Sequence, residues 1–205
     1  MKKTKKAALV ALSTTLPLLT ALPASADPPP RFTFSVAPGW GCPNHGVSLV
    51  ISPPSQGEIK MILSIAPFKA SVGKDVPAEE ARKKCAIYLI INHASDYTWG
   101  LKSISTRGEA DLEPGTTGEV TLRHWYPGGP AGAEISRTIN APTRSWWLEH
   151  DGPPEFLPCG QHRGLNLETR LQVTTTDPAK AGWISLGDEF DSKTAYTLAY
   201  KTCKP

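Results

Sequence analysis

Leu165, Leu167, Thr169, Leu171 and Val173 alternate with Asn166, Glu168, Arg170 and Gln172. This strict period of two over nine residues predicts a half-buried antiparallel strand, with one face toward a core and one toward water. Phe32, Phe34 and Val36 repeat the pattern within residues 31–36. Residues 47–52 and 59–66 are apolar and β-branched, and Pro53-Pro54-Ser55-Gln56-Gly57 separates them; they read as two strands joined by a turn. Residues 86–92 form a continuous apolar run, which predicts a strand buried on both faces. Residues 97–107, 118–126, 133–140, 145–151, 164–176, 182–187 and 193–202 read as further strands. The single helical stretch is 77–84: Pro77 suits a first turn, Glu79 and Glu80 come early, and Arg82, Lys83 and Lys84 come late, matching the helix dipole.

Many short strands and one helical turn make an all-β chain. Two packed antiparallel sheets bury such strands best, so the expected architecture is a β-sandwich. The 20 Pro and 17 Gly among 205 residues fit frequent turns and argue against long helices. No internal repeat and no linker-like break divides the chain, and residues 27–205 are expected to form one β-sandwich domain.

The N-terminus stands apart. Lys2, Lys3, Lys5 and Lys6 precede an apolar run over 7–22, followed by Ala24-Ser25-Ala26. This is the three-part layout of a secretory signal peptide, expected to be removed with residues 1–26. The run is shorter than the ~20 residues that span a bilayer and contains Pro17. Asp27, not Cys, follows Ala26, and 200–205 carries no hydrophobic tail, so no membrane anchor is expected. The formal net charge of +3 also resides in this leader. Without its four Lys, the 22 basic residues fall to 18 against 19 acidic ones. No basic footprint remains for nucleic acid.

A secreted chain meets an oxidising compartment, so Cys42, Cys85, Cys159 and Cys203 are expected to form two disulfides. Their wide spacing lacks the close ligand pairs of a zinc site, and no metal is expected. Four cysteines allow three pairings. Cys42–Cys85 with Cys159–Cys203 is preferred, because neighbouring segments tend to lie side by side.

Several separated pieces carry a family resemblance: Gly41-Cys42-Pro43, Phe68-Lys69-Ala70-Ser71-Val72-Gly73, Arg82-Lys83-Lys84-Cys85, Ser136-Arg137-Thr138, Pro158-Cys159-Gly160, Leu165-Asn166-Leu167 and Tyr200-Lys201-Thr202-Cys203. In order and spacing the chain resembles, over about residues 31–205, the domain-of-unknown-function 4360 family of small secreted proteins from fungi and actinobacteria. The resemblance implies a secreted, cysteine-stapled, β-rich protein and brings no activity with it. The Gly128-Gly129-Pro130 and Gly152-Pro153-Pro154 loops and Trp146-Trp147 depart from the pattern.

Catalytic motifs are missing. There is no Gly-x-Ser-x-Gly elbow and no His-Glu-x-x-His, and His45, His93, His124, His150 and His162 each lack a motif placing Ser and Asp beside them. Asp188-Glu189-Phe190-Asp191 offers hard oxygens for Ca²⁺ but reads better as a solvated turn. Glu149 and Asp151 would stand ~7 Å apart on one strand, whereas glycosidase carboxylates face each other across a cleft. No catalytic residue, cofactor or metal ligand is therefore assigned.

The aromatics offer more. Trp125-Tyr126 and Trp146-Trp147 are adjacent pairs, and neighbours on a strand point to opposite faces. One member of each pair is expected outside, where an indole can stack on a sugar ring. Trp147 is the outward choice in its pair, because Glu149 and Asp151 share its face and resist burial. Trp147, Trp125 and Tyr126 are thus the candidate binding residues. The expected function is a secreted, non-catalytic module binding an extracellular polysaccharide or protein. The alternatives are a glycosidase-like hydrolase with an unfamiliar site and a structural matrix component.

Overall fold

The computed structural model describes residues 30–129, 132–187 and 193–203. The predicted leader and the acidic loop at Asp188–Asp191 lie outside the described residues. Twelve strands are present among them: β1 (Phe32–Pro38), β2 (Val47–Ile51), β3 (Glu58–Ile65), β4 (Lys69–Val72), β5 (Arg82–His93), β6 (Tyr97–Leu112), β7 (Thr116–Trp125), β8 (Glu134–Asn140), β9 (Ser145–Asp151), β10 (Leu165–Thr175), β11 (Gly182–Leu186) and β12 (Lys193–Thr202). One sheet has five strands in the order β1-β5-β10-β7-β8. The other has seven, in the order β2-β3-β12-β6-β11-β4, with β9 added to β6. All strand pairings within both sheets are antiparallel.

The period-two pattern builds the core. Ile59, Met61, Leu63 and Ile65 of β3 and Leu165, Leu167, Leu171 and Val173 of β10 point into the space between the sheets, as do Ile87, Leu89 and Ile91 of β5. The long β6 organises the seven-stranded sheet. Its residues 97–106 pair with β12 and its residues 108–112 with β11. Ser105 is opposite both Ala195 and Glu149, so β9 must occupy the other edge of β6 from β12.

Both disulfides join sequence neighbours: Cys42–Cys85, with Cα atoms 4.4 Å apart, and Cys159–Cys203, at 5.8 Å. The first fixes the turn after β1 to β5. The second fixes the segment after β9 to the end of β12.

Three local expectations are corrected. The expected helical turn within 77–84 is present as a 3-10 turn, but it covers only Ala78–Ala81. Arg82, Lys83 and Lys84 belong instead to β5, where they pair with Gln172, Leu171 and Arg170 of β10. The apolar run 86–92 is not buried on both faces: β5 has only one core side, and Ile90 on the other is exposed. Residues 69–72, not expected as a strand, form β4 on β11.

Candidate binding face

Trp146 and Trp147 have opposite fates. Trp146 is 1% exposed and donates its indole N–H to the Glu109 carbonyl at 3.1 Å. Trp147 is 58% exposed and stands outward from the seven-stranded sheet with Glu149 and Asp151. Arg137 of β8, across the sheet edge, places its guanidinium 4.4 Å from the Trp147 ring centre and donates to the Trp147 carbonyl. A cation over one face and a backbone hydrogen bond thus hold the indole in place while most of it stays in water.

The sheet around Trp147 is a platform with two shallow clefts. One, of about 390 Å³, lies among Arg107, Gly108, Glu109, Ser145, Trp147 and Gly187. The other, of about 370 Å³, runs from Trp147 and Glu149 past Ser105 and Ala195 to Ile62. Strand register explains the second: Val50, Ile62, Ala195, Ser105 and Glu149 form one cross-strand row over β2, β3, β12, β6 and β9. Small side chains in the middle, between Ile62 and Trp147, make the trough. Five strands span four intervals, or about 19 Å.

Hydrogen-bonding groups border the trough. Ser105 donates to the Glu149 carboxylate at 3.2 Å. Outside the trough, four residues further along β3 from Ile62, Glu58 pairs with Lys102 at 2.5 Å. The Lys102 ammonium holds the Glu58 carboxyl below its usual range, and Glu58 in turn raises Lys102. The arrangement can stack a ring and exchange hydrogen bonds with hydroxyls. Among the described residues, no group of three or more His, Cys, Asp or Glu side chains could hold a metal ion.

The structure does not bring the three candidate residues together. β7 lies in the five-stranded sheet, so Trp125 points outward on the opposite side of the sandwich from Trp147. There Trp125 is half-buried, with the Arg123 guanidinium 5.1 Å from its ring. Tyr126, one residue past the strand, is occupied internally. Its ring meets Trp99 edge-on at 5.5 Å, and its hydroxyl accepts from Leu101 N–H and donates to the Glu155 carbonyl, both at 3.3 Å. Burial pushes the Tyr126 phenol up.

Two prominent residues went unassigned in the sequence. Trp40 is 65% exposed, with the Lys84 ammonium 3.9 Å from its ring. Glu168 is only 5% exposed although it points away from the core; Lys84 at 2.6 Å and Arg170 cover and pair with it. The Gly residues on either side of Trp40 were the available signal, since they mark a turn tip where an indole finds no strand face to hide in.

A family model described as a domain of unknown function (DUF4360) matches residues 33–203, and the chain belongs to that family. An "Uncharacterized secreted protein" of Arthroderma benhamiae (strain ATCC MYA-4681 / CBS 112371) is 28% identical over 158 residues, which cover 75% of this chain. The match spans 63% of the relative, so the chain corresponds to less than two thirds of that protein. The protein is secreted. Among solved structures, TmCBM61 in complex with beta-1,4-galactotriose aligns with a TM-score of 0.27 and 9% identity, over 82% of this chain and 88% of that one. A CBM4 structure aligns at 0.28 and 8%, over 76% and 79%. Similarity at this level carries no functional argument.

Proposed function

We propose that this protein is a non-catalytic extracellular module that binds polysaccharide on the outer face of its seven-stranded sheet. The observation that carries this reading is Trp147: a large indole, mostly in water, held by Arg137 and set between two clefts. An exposed Trp loses hydration favourably when a flat, partly apolar ring covers it. The apolar face of a pyranose ring fits that role. Its hydroxyls can then reach Ser105, Glu149 and the other polar groups bordering the clefts.

Ligand retention tests the reading. The mature, oxidised protein is passed over insoluble cellulose, chitin, β-1,3-glucan and β-mannan. Retention on at least one matrix is expected, with Trp147→Ala retained less than the wild type and Trp147→Phe intermediate between them. A Trp147→Ala protein that is retained like the wild type on every matrix, or a wild type that none of them holds, would overturn the proposal.

A further inference from the structure

The second side of the sandwich repeats the construction with different residues. Trp40 sits in the turn after β1, and its backbone continues along β5: Gly39 N–H donates to the Ala86 carbonyl at 2.7 Å and Ala86 N–H to the Trp40 carbonyl at 3.4 Å. The Cys42–Cys85 disulfide closes the same turn. The indole is therefore anchored, yet 65% exposed. As at Trp147, a basic side chain lies against the ring, here Lys84 at 3.9 Å.

Polar groups extend from Trp40 across the five-stranded sheet in register. Lys84 lies opposite Arg170, and Glu168 lies between Ala86 and Arg123. Trp125, Asn166 and Tyr88 form the row beyond. The rows of Lys84 and Trp125 are four residues apart along the strands, or about 13 Å. Two cation-backed indoles thus border a patch of hydrogen-bonding groups. Its charges are largely matched: Glu168 pairs with Lys84 and Arg170, and Arg170 reaches Glu134 at 3.8 Å. The ammonium of Lys84 and the guanidinium of Arg170 carry more N–H donors than these pairs consume. Flat aromatic surface, spare donors and compensated charge suit a neutral, polyhydroxylated ring better than an anionic one.

We infer that the protein has a second sugar-binding face, formed by Trp40, Lys84, Arg170, Glu168, Arg123 and Trp125, and that one molecule bridges two neutral polysaccharide chains. This rests on the reading of Trp147 as the first site. The sheets pack about 10 Å apart and both indoles point outward, so one straight chain cannot touch both. A monomer with a platform on each side links two chains, and binding becomes a means of cross-linking a matrix.

A bead-bridging assay tests this. Two colours of bead carry one soluble neutral polysaccharide, with xyloglucan, mixed-linkage β-glucan, galactan and galactomannan tried in turn. The wild type is expected to co-aggregate the colours on at least one polymer. Trp40→Ala and Trp147→Ala should each abolish co-aggregation, while the remaining site still holds each variant on beads of a single colour. The double variant should lose retention at least about tenfold. Trp40→Phe should restore bridging, and urea midpoints establish that each variant is folded. If Trp40→Ala still bridges, as it would were a dimer with one site per subunit responsible, the second face is wrong and the Trp147 reading stands. The second face is equally wrong if Trp147→Ala alone removes all retention. If Trp40→Ala removes all retention and Trp147→Ala none, the Trp147 reading fails and bridging fails with it. Absence of wild-type binding to all four polymers overturns both.

Discussion

Adjacent residues with opposite burial make a sharp test of the platform. Trp146→Ala empties a site that is 1% exposed and removes the indole bond to the Glu109 carbonyl. Truncation of a buried Trp costs about 3–5 kcal/mol. Trp147→Ala takes away an indole that is 58% exposed and loses its contact with Arg137. A cation–π contact at an exposed site is worth about 0.5–1 kcal/mol, and the Arg137 bond to the backbone carbonyl survives the truncation. The two variants should therefore differ by about 2–4 kcal/mol, or about 30-fold to 1,000-fold in the unfolding equilibrium. Urea titration followed by far-UV circular dichroism avoids reading stability through the fluorophore being deleted. Trp146→Ala should lower the midpoint strongly at unchanged slope, while Trp147→Ala should scarcely move it. Equal shifts would mean that Trp147 is a packing residue, and the surface on which the binding argument depends would not exist.

Other perturbations probe the supports of the two faces. Gly108→Ala would place a methyl carbon 2.0 Å from the Ser185 carbonyl oxygen and 2.2 Å from the Trp146 ring. It should cost at least about 1–3 kcal/mol by overpacking; a urea midpoint like that of the wild type would refute the close approach. The double variant Cys42→Ala, Cys85→Ala should lose about 2–5 kcal/mol and broaden the NMR signal of the Trp40 indole N–H. An unchanged midpoint and line shape would show that the staple does not hold the turn. His124 has its pKa lowered, first by burial and then by His150, with Glu155 opposing. The unfolded chain then takes up a proton near the ordinary His value of about 6.5 before the folded one does, so stability is complete above that pH and falls below it. The urea midpoint should drop between pH 7 and pH 5, less so in His124→Gln; an equal drop in both would assign the loss to other groups.

What the sequence could and could not convey follows from the range of each interaction. Each strand of a sandwich has one core face, so alternation within β10 or β9 reports burial directly, and the outward choice of Trp147 needed only its neighbours Glu149 and Asp151. Longer-range facts leave no such local trace. Residues 77–84 have the acid-first, base-last charge order of a helix, but antiparallel pairing of Arg82–Lys84 with β10 and the Cys85 staple override that weak preference. Glu168 is correctly placed on the outer face by alternation, and its burial arises from Lys84 on β5, 84 positions away. Sheet membership is the hardest to read. Trp125 and Trp147 both belong to outward-facing strand positions, and only the order β10-β7-β8 against β12-β6-β9 puts them on opposite sides. That separation changes the functional question. Three aromatics on one face would have made a single longer groove. Trp147 on one side, and Trp125 with Trp40 on the other, make two shorter platforms. In each, a basic residue braces an indole and polar side chains lie within reach of its rim. On the proposed reading, this arrangement suits linking two chains rather than gripping one chain more tightly.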